Sequence, residues 1–521
     1  MRSSCALLLA AMVYTTPVFG QTLAQAVSAR AAASFLDQAT WGPMPASIAE
    51  LQKAGFSNWL ITQFAMNTSN LPNQPILDST GKPNRDLHPV QAAFFRNAVN
   101  QPDQLRQRVA FALSQIWVVS FEGVPDAYAF PPYWRIFRDN AFGNYRDLIK
   151  AVTLNPAMGR FLNMANNNKA DPAKNTSANE NYARELMQLF TLGLTQLNPD
   201  GTPALDQNKN PVPTFDQTAV VNMAKVLTGW TYPTAPGAEA HINNPPYFYG
   251  QLIPVESEHD TTAKTIFGGV TLPAGQTAEQ DLNSLLDALI AQPTMAPFVS
   301  EQLIQHLVTS NPSPQYIQRV SSVFSNDGNG VSGNLRAVVT AILTDPEARA
   351  ADDPNAAVNP NFGHLREPIL FVTNLLRGLS ATITSSNTIF YDTSLLSENL
   401  FVAPSVFSYF SPQYRTEKGL LGPEFQIYST QTAAERADIV NAILYGKIDQ
   451  STTVNLTPFV QLAGNTPALL SYIASVFLHG SMSSALQQAV SNAVNAAATP
   501  LGKAQAALYV VLTSGEYQII Q

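Results

Sequence analysis

Apolar residues recur along most of the chain at a spacing of three to four, the period of an amphipathic α-helix. This pattern predicts helices over 24–39, 46–55, 57–65, 88–99, 101–119, 131–141, 144–154, 178–192, 215–228, 278–291, 295–309, 314–325, 334–344, 368–379, 432–445, 467–478, 484–497 and 501–513. Four of them open with the capping-box pattern, a cap residue followed three places later by Glu or Gln: Ser177–Glu180, Thr214–Gln217, Thr277–Gln280 and Thr432–Glu435. We therefore expect a mainly α-helical fold.

Strand signals are sparse by comparison. The best is a small β-hairpin near 247–272, where Ile253, Val255, Ile266 and Val270 alternate with polar residues. Long irregular segments are predicted at 196–214, 231–276 and 401–430, and loops of this length are often functional. No low-complexity linker divides the chain, so we predict a single helical domain over 21–521 built as one multi-helix assembly.

The first twenty residues have the pattern of a secretory signal peptide. A basic start at Arg2 precedes an apolar run, and small residues lead to a cleavage site after Gly20. We therefore expect export to the periplasm or the cell exterior. The chain's single cysteine, Cys5, lies in this leader, so the mature chain would be cysteine-free and would have no disulfide or thiolate chemistry.

The charge balance narrows the range of partners. The chain has 29 Lys and Arg against 37 Asp and Glu, a net charge of −8. Because nucleic acids are bound mainly by clustered cations, and no such cluster occurs, nucleic acid is not an expected partner. No segment after the leader has the length and apolar purity of a membrane span, so we expect no span in the mature chain.

One group of residues that could carry chemistry lies on the predicted helix 178–192. Residues three and four apart share a helix face, which places Glu180 over Arg184, and Asn181 over Glu185. Glu180 is explained by capping and by an ordinary ion pair with Arg184. Glu185 lies at the apolar boundary without such a local partner, and it is the better candidate for a site.

A second group lies in the long loop: Glu256, Glu258, His259 and Asp260. Carboxylates beside a histidine can bind a divalent metal or act as an acid–base pair. The alternative is that His259 and Asp260 hold the loop through hydrogen bonds to its backbone. Other histidines carry less information. His364 and Glu367 lack a zinc-site context, and we interpret His306 as a surface or core-edge residue.

Several segments together resemble one protein family: FLDQATWGP (35–43), LRQRVAFALSQIWVVS (105–120), NENYARELMQLFTLGL (179–194), VVNMAKVLTGW (220–230), HDTTAKTIFG (259–268) and LFVAPSVF (400–407). The chain resembles the bacterial domain-of-unknown-function family numbered 1800 from about Ala29 to its C-terminus. The resemblance implies an exported protein but no activity. It also implies, as a partner, another exported protein encoded nearby, from an uncharacterised family that resembles alkaline phosphatases and sulfatases.

Two functional hypotheses follow. The first is a non-catalytic binding or assembly component of the cell envelope or secretome, which we favour because no nucleophile elbow, phosphate loop or zinc motif occurs. The second is a metal-assisted hydrolase in which Glu185, His259 and Asp260 surround a divalent ion and Arg184 holds an anionic group. Only the fold can bring these distant residues together.

Overall fold

The computed structural model describes residues 27–355, 359, 361–384 and 386–520. The predicted signal peptide lies outside these residues. The described part is 51% helical. Its α-helices are Ala29–Ala39 (α1), Pro45–Ala54 (α2), Phe56–Ala65 (α3), His88–Asn100 (α4), Gln104–Ile116 (α5), Phe130–Asn140 (α6), Tyr145–Thr153 (α7), Pro156–Phe161 (α8), Asn181–Glu185 (α9), Gln217–Val226 (α10), Ala278–Ile290 (α11), Met295–Leu307 (α12), Pro314–Ser325 (α13), Leu335–Thr344 (α14), Pro368–Gly378 (α15), Ile389–Leu395 (α16), Thr430–Leu444 (α17), Thr457–Leu462 (α18), Thr466–Phe477 (α19), Ser484–Ala496 (α20), Pro500–Leu512 (α21) and Gly515–Gln518 (α22). The predicted mainly α-helical fold is confirmed.

In the described part of the chain, four antiparallel pairs of two-residue strands accompany the helices. The strands are Trp230–Thr231 (β1), Ile253–Pro254 (β2), Lys264–Thr265 (β3), Thr271–Leu272 (β4), His364–Leu365 (β5), Thr382–Ile383 (β6), Thr452–Thr453 (β7) and Ile519–Ile520 (β8). They pair as β1–β2, β3–β4, β5–β8 and β6–β7. The β3–β4 hairpin lies within the predicted stretch 247–272. Strand β2 also lies in this stretch, but it pairs with β1, which lies outside the stretch.

The helix starts show where short-range patterns mislead. The box at Thr277 and Gln280 is present at the start of α11. The box expected at Ser177 and Glu180 is not formed, because the helix begins only at Asn181, whose backbone N–H donates to the side chain of Asn179 at 2.9 Å.

Two other predicted caps are displaced by neighbouring residues. Asp216, not Thr214, caps α10, and its side chain accepts from the backbone N–H of Ala219 at 2.8 Å. Ser429 caps α17, with Thr432 as its partner three positions later. A competing polar residue within a few positions thus decides the start of a helix.

Helix α9 does not continue as the regular helix predicted over 178–192. After Glu185 the chain winds into a π-helix, Leu186–Thr191. The side-chain hydroxyl of Thr191 donates to the carbonyl of Leu186 at 2.6 Å across this wider turn. The π-helix ends at Thr191, two residues before Gly193, which lines the cleft described below.

The core is organised around two strongly buried helices. Every residue of α15 is buried, and all but two residues of α5 are. A buried ion pair fixes the N-terminal helix beside α15. Arg366 donates to both carboxylate oxygens of Asp37 at 2.6 Å, and Nε2 of His479 lies 2.9 Å from the same carboxylate. Burial opposes ionisation of Asp37, yet Arg366 and His479 lower the pKa of its carboxyl well below the usual range.

Within the described ranges, no helix combines the length and the apolar composition that crossing a membrane requires.

Candidate functional site

A cleft of about 490 Å³ opens beside α12. Helix α12 forms one wall, and the chain segments 193–203 and 406–424 form much of the rest. This volume lies in the range of pockets that hold small organic molecules. The predicted irregular segments 196–214 and 401–430 both contribute to this cleft.

Helix α12 turns a row of polar side chains toward the cleft: Glu301, Gln302, Gln305 and His306. The spacing explains the row, because residues four apart lie on one helix face, so Glu301 neighbours Gln305 and Gln302 neighbours His306. The opposite face of the helix packs into the core through Val299, Leu303 and Ile304. The helix is therefore amphipathic, with its apolar face in the core and its polar face along the cleft.

Burial alters the protonation of two members of this row. Burial raises the pKa of Glu301 to about 7, and the positive charge of Arg415 only partly opposes this shift. Burial also lowers the pKa of His306 to about 3, together with repulsion from Arg108 and His364. At neutral pH the cleft therefore contains a neutral imidazole and a carboxyl group close to its titration midpoint.

A fixed amide lies at the inner end of the cleft. The side-chain nitrogen of Gln115 donates to the carboxylate of Glu367 at 2.7 Å and lies 3.5 Å from that of Glu398. These contacts orient the amide group. Its oxygen, Oε1, is buried and has no hydrogen-bond partner among the described residues. Because this oxygen is shielded from solvent, it belongs to the buried layer behind the cleft and not to the open surface of the cleft.

Behind the cleft lies a layer of buried ionisable groups. Burial raises the pKa of both Glu367 and Glu398, and Glu367 adds repulsion at Glu398. Glu424 links this layer to the cleft. Its carboxylate accepts from the hydroxyl of Ser310 at 3.1 Å and lies 3.5 Å from Nδ1 of His364. Such a layer can hold protons close to a ligand site.

Exposed apolar side chains lie among the residues that line the cleft. Leu194 is 60% exposed and Phe407 is 44% exposed, although both line the cleft. Gly193 allows the wall to close, because a Cβ atom there would lie 2.8 Å from the ring of Phe298 and the residue has a φ of +72°. A glycine tolerates this left-handed conformation without strain.

Comparison of the sequence with known proteins identifies its family. The sequence profile of a family described as "Protein of unknown function (DUF1800)" matches residues 34–519, nearly the whole chain. The chain belongs to this family. No curated protein and no solved structure matches it. The sequence resemblance is therefore confirmed, and the family description assigns no reaction or ligand.

The family motif NENYARELMQLFTLGL contains the first predicted group. Arg184 donates to the Glu180 carboxylate at 3.0 Å and to the side-chain oxygen of Gln217 at 3.1 Å. The ordinary ion pair considered from the sequence is therefore present. Glu185 is half-buried, and burial raises the pKa of its carboxyl against the opposing charge of Arg184.

Of the second predicted group, His259 is held inside the fold, whereas Glu256 is exposed. Nδ1 of His259 lies 2.9 Å from the carbonyl of Thr228, and Nε2 lies 3.0 Å from the carboxylate of Asp281. The buried ammonium of Lys264 donates to the same carboxylate at 2.7 Å. We call His259, Asp281 and Lys264 the closed cluster. It attaches the loop to α11.

Asp260 stabilises its own turn. Its carboxylate accepts from the backbone N–H of Thr262 at 2.9 Å and from the Thr262 hydroxyl at 2.5 Å, which lowers the pKa of Asp260 against the effect of burial. In the part of the chain that the structure describes, no three His, Cys, Asp or Glu side chains are grouped to hold a metal ion. A catalytic or metal-binding role for Glu185, Arg184, His259 and Asp260 stays a prediction.

Sequence reasoning missed the residues of the cleft. Glu301 and Gln302 are not among the predicted site residues, and His306, which we interpret from the sequence as a surface or core-edge residue, lies in the polar row of the cleft. One signal was available: four polar residues at 301, 302, 305 and 306 interrupt an otherwise apolar helix. Glu424 carried no such signal, since its partners Ser310 and His364 are far away along the chain.

Proposed function

We propose that this protein is an exported binding protein whose cleft holds a small polar organic molecule. The observation that carries the proposal is the polar row on α12, which faces a cleft of about 490 Å³. A structural role alone gives no reason to keep Glu301 in a position where burial disfavours its charge.

The surroundings of the row favour a small ligand over a large partner surface. The cleft combines a few convergent polar groups with apolar walls, the usual composition of a small-molecule site. The partly exposed polar side chains of Glu301 and Gln302 can orient a ligand by hydrogen bonds. The signal-peptide pattern before Gly20 supports the exported location, and a partner from the family similar to alkaline phosphatases and sulfatases remains part of the proposal.

The test is a ligand screen with a blocked variant. Amino acids, amines, sugars and carboxylic acids would be screened by thermal shift against the mature chain, because a ligand at 100 times its Kd stabilises by about 2.7 kcal/mol. In Gln302→Trp the indole fills the cleft. In the control Gln315→Trp the substitution lies at an exposed position of α13 that does not line the cleft.

We expect at least one compound class to raise the melting temperature of the wild type and of Gln315→Trp, but not that of Gln302→Trp. Stabilisation that persists unchanged in Gln302→Trp would place the ligand elsewhere and overturn the proposal. A screen in which no class shifts either protein would also overturn it.

A further inference from the structure

The cleft contains two opposite charges that are not paired with each other. Glu301 and Arg415 both line it, and the charge of Arg415 reaches the Glu301 carboxyl. However, Arg415 acts on Glu301 through its charge and not through a hydrogen bond between the two side chains. Two opposite charges that share a cleft without contact can each bind one end of a ligand that carries both charges.

The position of Arg415 is fixed by its turn. Nη1 of Arg415 donates to the carbonyl of Gly419 at 2.8 Å, and Arg415 forms a β-bridge with Leu421. Leu421 is in turn held by Asn311, whose side-chain oxygen accepts from the Leu421 backbone N–H at 2.9 Å. The turn is thereby attached to the loop between α12 and α13. The remaining guanidinium nitrogens of Arg415 are available for a carboxylate.

The inner end of the cleft favours a ligand group that donates hydrogen bonds. Glu301 supplies carboxylate oxygens, and Glu424 adds a further carboxylate to the lining. His306 adds no positive charge, because its imidazole is neutral at ordinary pH. An ammonium group has three donors and a compensating charge, so it matches this environment. An anion would meet two carboxylates instead.

Apolar side chains form a large part of the remaining walls. Phe298, Phe407 and Leu194 lie along the cleft, together with Val406 and Phe410. The exposure of Leu194 and Phe407 at the mouth leaves apolar surface that a ligand side chain can cover. A ligand made only of charged and polar groups would leave this surface in water.

We infer that the cleft binds a zwitterionic amino acid or short peptide with an apolar side chain, its ammonium at Glu301 and its carboxylate at Arg415. This inference rests on the proposed function and adds the ligand class to it. Sugar hydroxyls can hydrogen-bond to Glu301 and Arg415, but a zwitterion also brings an opposite charge to each of them and so forms the stronger, charge-assisted hydrogen bonds.

Isothermal titration calorimetry with three related compounds separates the two ends of the ligand. Leucine carries both charges, leucinamide lacks the carboxylate, and N-acetylleucine lacks the ammonium. Each would be titrated into the mature chain and into its variants Glu301→Gln and Arg415→Gln. Circular dichroism would confirm that both variants fold. A matched control is Arg336→Gln, which changes an arginine outside the cleft.

We expect wild type and Arg336→Gln to bind leucine at least about ten-fold more tightly than either analogue, since a charge-assisted contact is lost in each analogue. Glu301→Gln should weaken leucine and leucinamide by about ten-fold, and Arg415→Gln should weaken leucine and N-acetylleucine similarly. This crossed pattern is the signature of an ammonium at Glu301 and a carboxylate at Arg415.

Three outcomes would overturn the inference. Equal binding of leucine and both analogues would show that neither charge is recognised. Binding of leucine that both variants leave unchanged would place the amino acid outside the cleft. Binding of a sugar instead, abolished by Gln302→Trp, would refute the ligand class while supporting the proposed function. Failure of the proposed function is distinguishable, because no compound would then depend on Gln302.

Discussion

The closed cluster of His259, Asp281 and Lys264 and the polar row of α12 use similar residue types in different surroundings. In the closed cluster the side chains of all three residues are fully buried, and each has a partner. In the cleft, Glu301 and His306 are only half-buried and face a space large enough for a ligand. Ionisable residues therefore need their surroundings before a role can be assigned.

The electrostatic contrast follows from the partners. Asp281 receives a histidine nitrogen and an ammonium group, so its charge is compensated inside the fold. Glu301 receives only the distant field of Arg415, and burial raises its pKa to about 7. Compensated groups stabilise a fold, whereas uncompensated groups beside a cavity are candidates for ligand binding.

The largest effect is expected for Asp281→Ala. It leaves Lys264 and His259 buried without their carboxylate, and removing one partner of a buried pair costs about 3–5 kcal/mol of unfolding free energy. Chemical denaturation of the mature chain would measure this loss. The control is Asp287→Ala on the same helix, which removes an exposed pair with Arg146 and should cost less than about 1 kcal/mol. Equal losses in both variants would contradict the closed-cluster assignment.

A smaller loss, about 2–3 kcal/mol, is expected for His259→Ala, because the carbonyl of Thr228 loses its partner and a cavity forms. Thermal unfolding would measure it. Elemental mass spectrometry of the wild type and of His259→Ala would distinguish a structural role of His259 from a metal-binding role. Unchanged metal content supports the structural role. A stoichiometric metal that is lost in the variant would instead support the metal site predicted with Glu185 and Asp260.

Glu301→Gln should stabilise the protein at high pH. The pKa of Glu301 is raised from 4.5 to about 7 in the fold, so the folded state favours the protonated form and the wild type loses stability as pH rises through this window. At pH 8 we expect the variant to be more stable by on the order of 1 kcal/mol, and at pH 4 the difference should vanish. Denaturation at both pH values tests this.

The matched control for Glu301→Gln is Glu50→Gln on α2, an exposed position where little change is expected at either pH. A wild type that is as stable as Glu301→Gln at pH 8 would show that the Glu301 charge is already compensated. The cleft would then resemble the closed cluster, and the contrast between the two regions would fail.

The smallest effect is expected for Glu185→Gln. Burial raises the pKa of this carboxyl, so removing its charge should not lower the melting temperature. We expect the free energy of unfolding to stay unchanged or to rise by a few tenths of a kcal/mol. Differential scanning calorimetry near pH 7 measures it. A clear drop in melting temperature would identify Glu185 as a structural ion-pair member and would exclude it as a site candidate.

Local patterns predicted much of the fold. The period of apolar residues predicts most of the long helices. The capping box at Thr277 is confirmed, because no neighbouring residue competes with Thr277 as the cap of α11. The short helices α8, α16 and α18 are not predicted, because six or seven residues show little periodic pattern. The π-helix after Glu185 is not predicted either, because its apolar residues continue the pattern of the preceding α-helix although its turn is wider.

The sequence by itself determined the helical class, the family and the acidic, cysteine-poor composition, because these depend on residue type and on neighbours within a few positions. Only the tertiary structure decided which ionisable groups are compensated. Asp281 turns His259 into part of the closed cluster, and the turn at Arg415 brings a cation to the cleft of Glu301. Burial and the distance to charges from remote segments control ionisation, and neither quantity exists before the chain has folded.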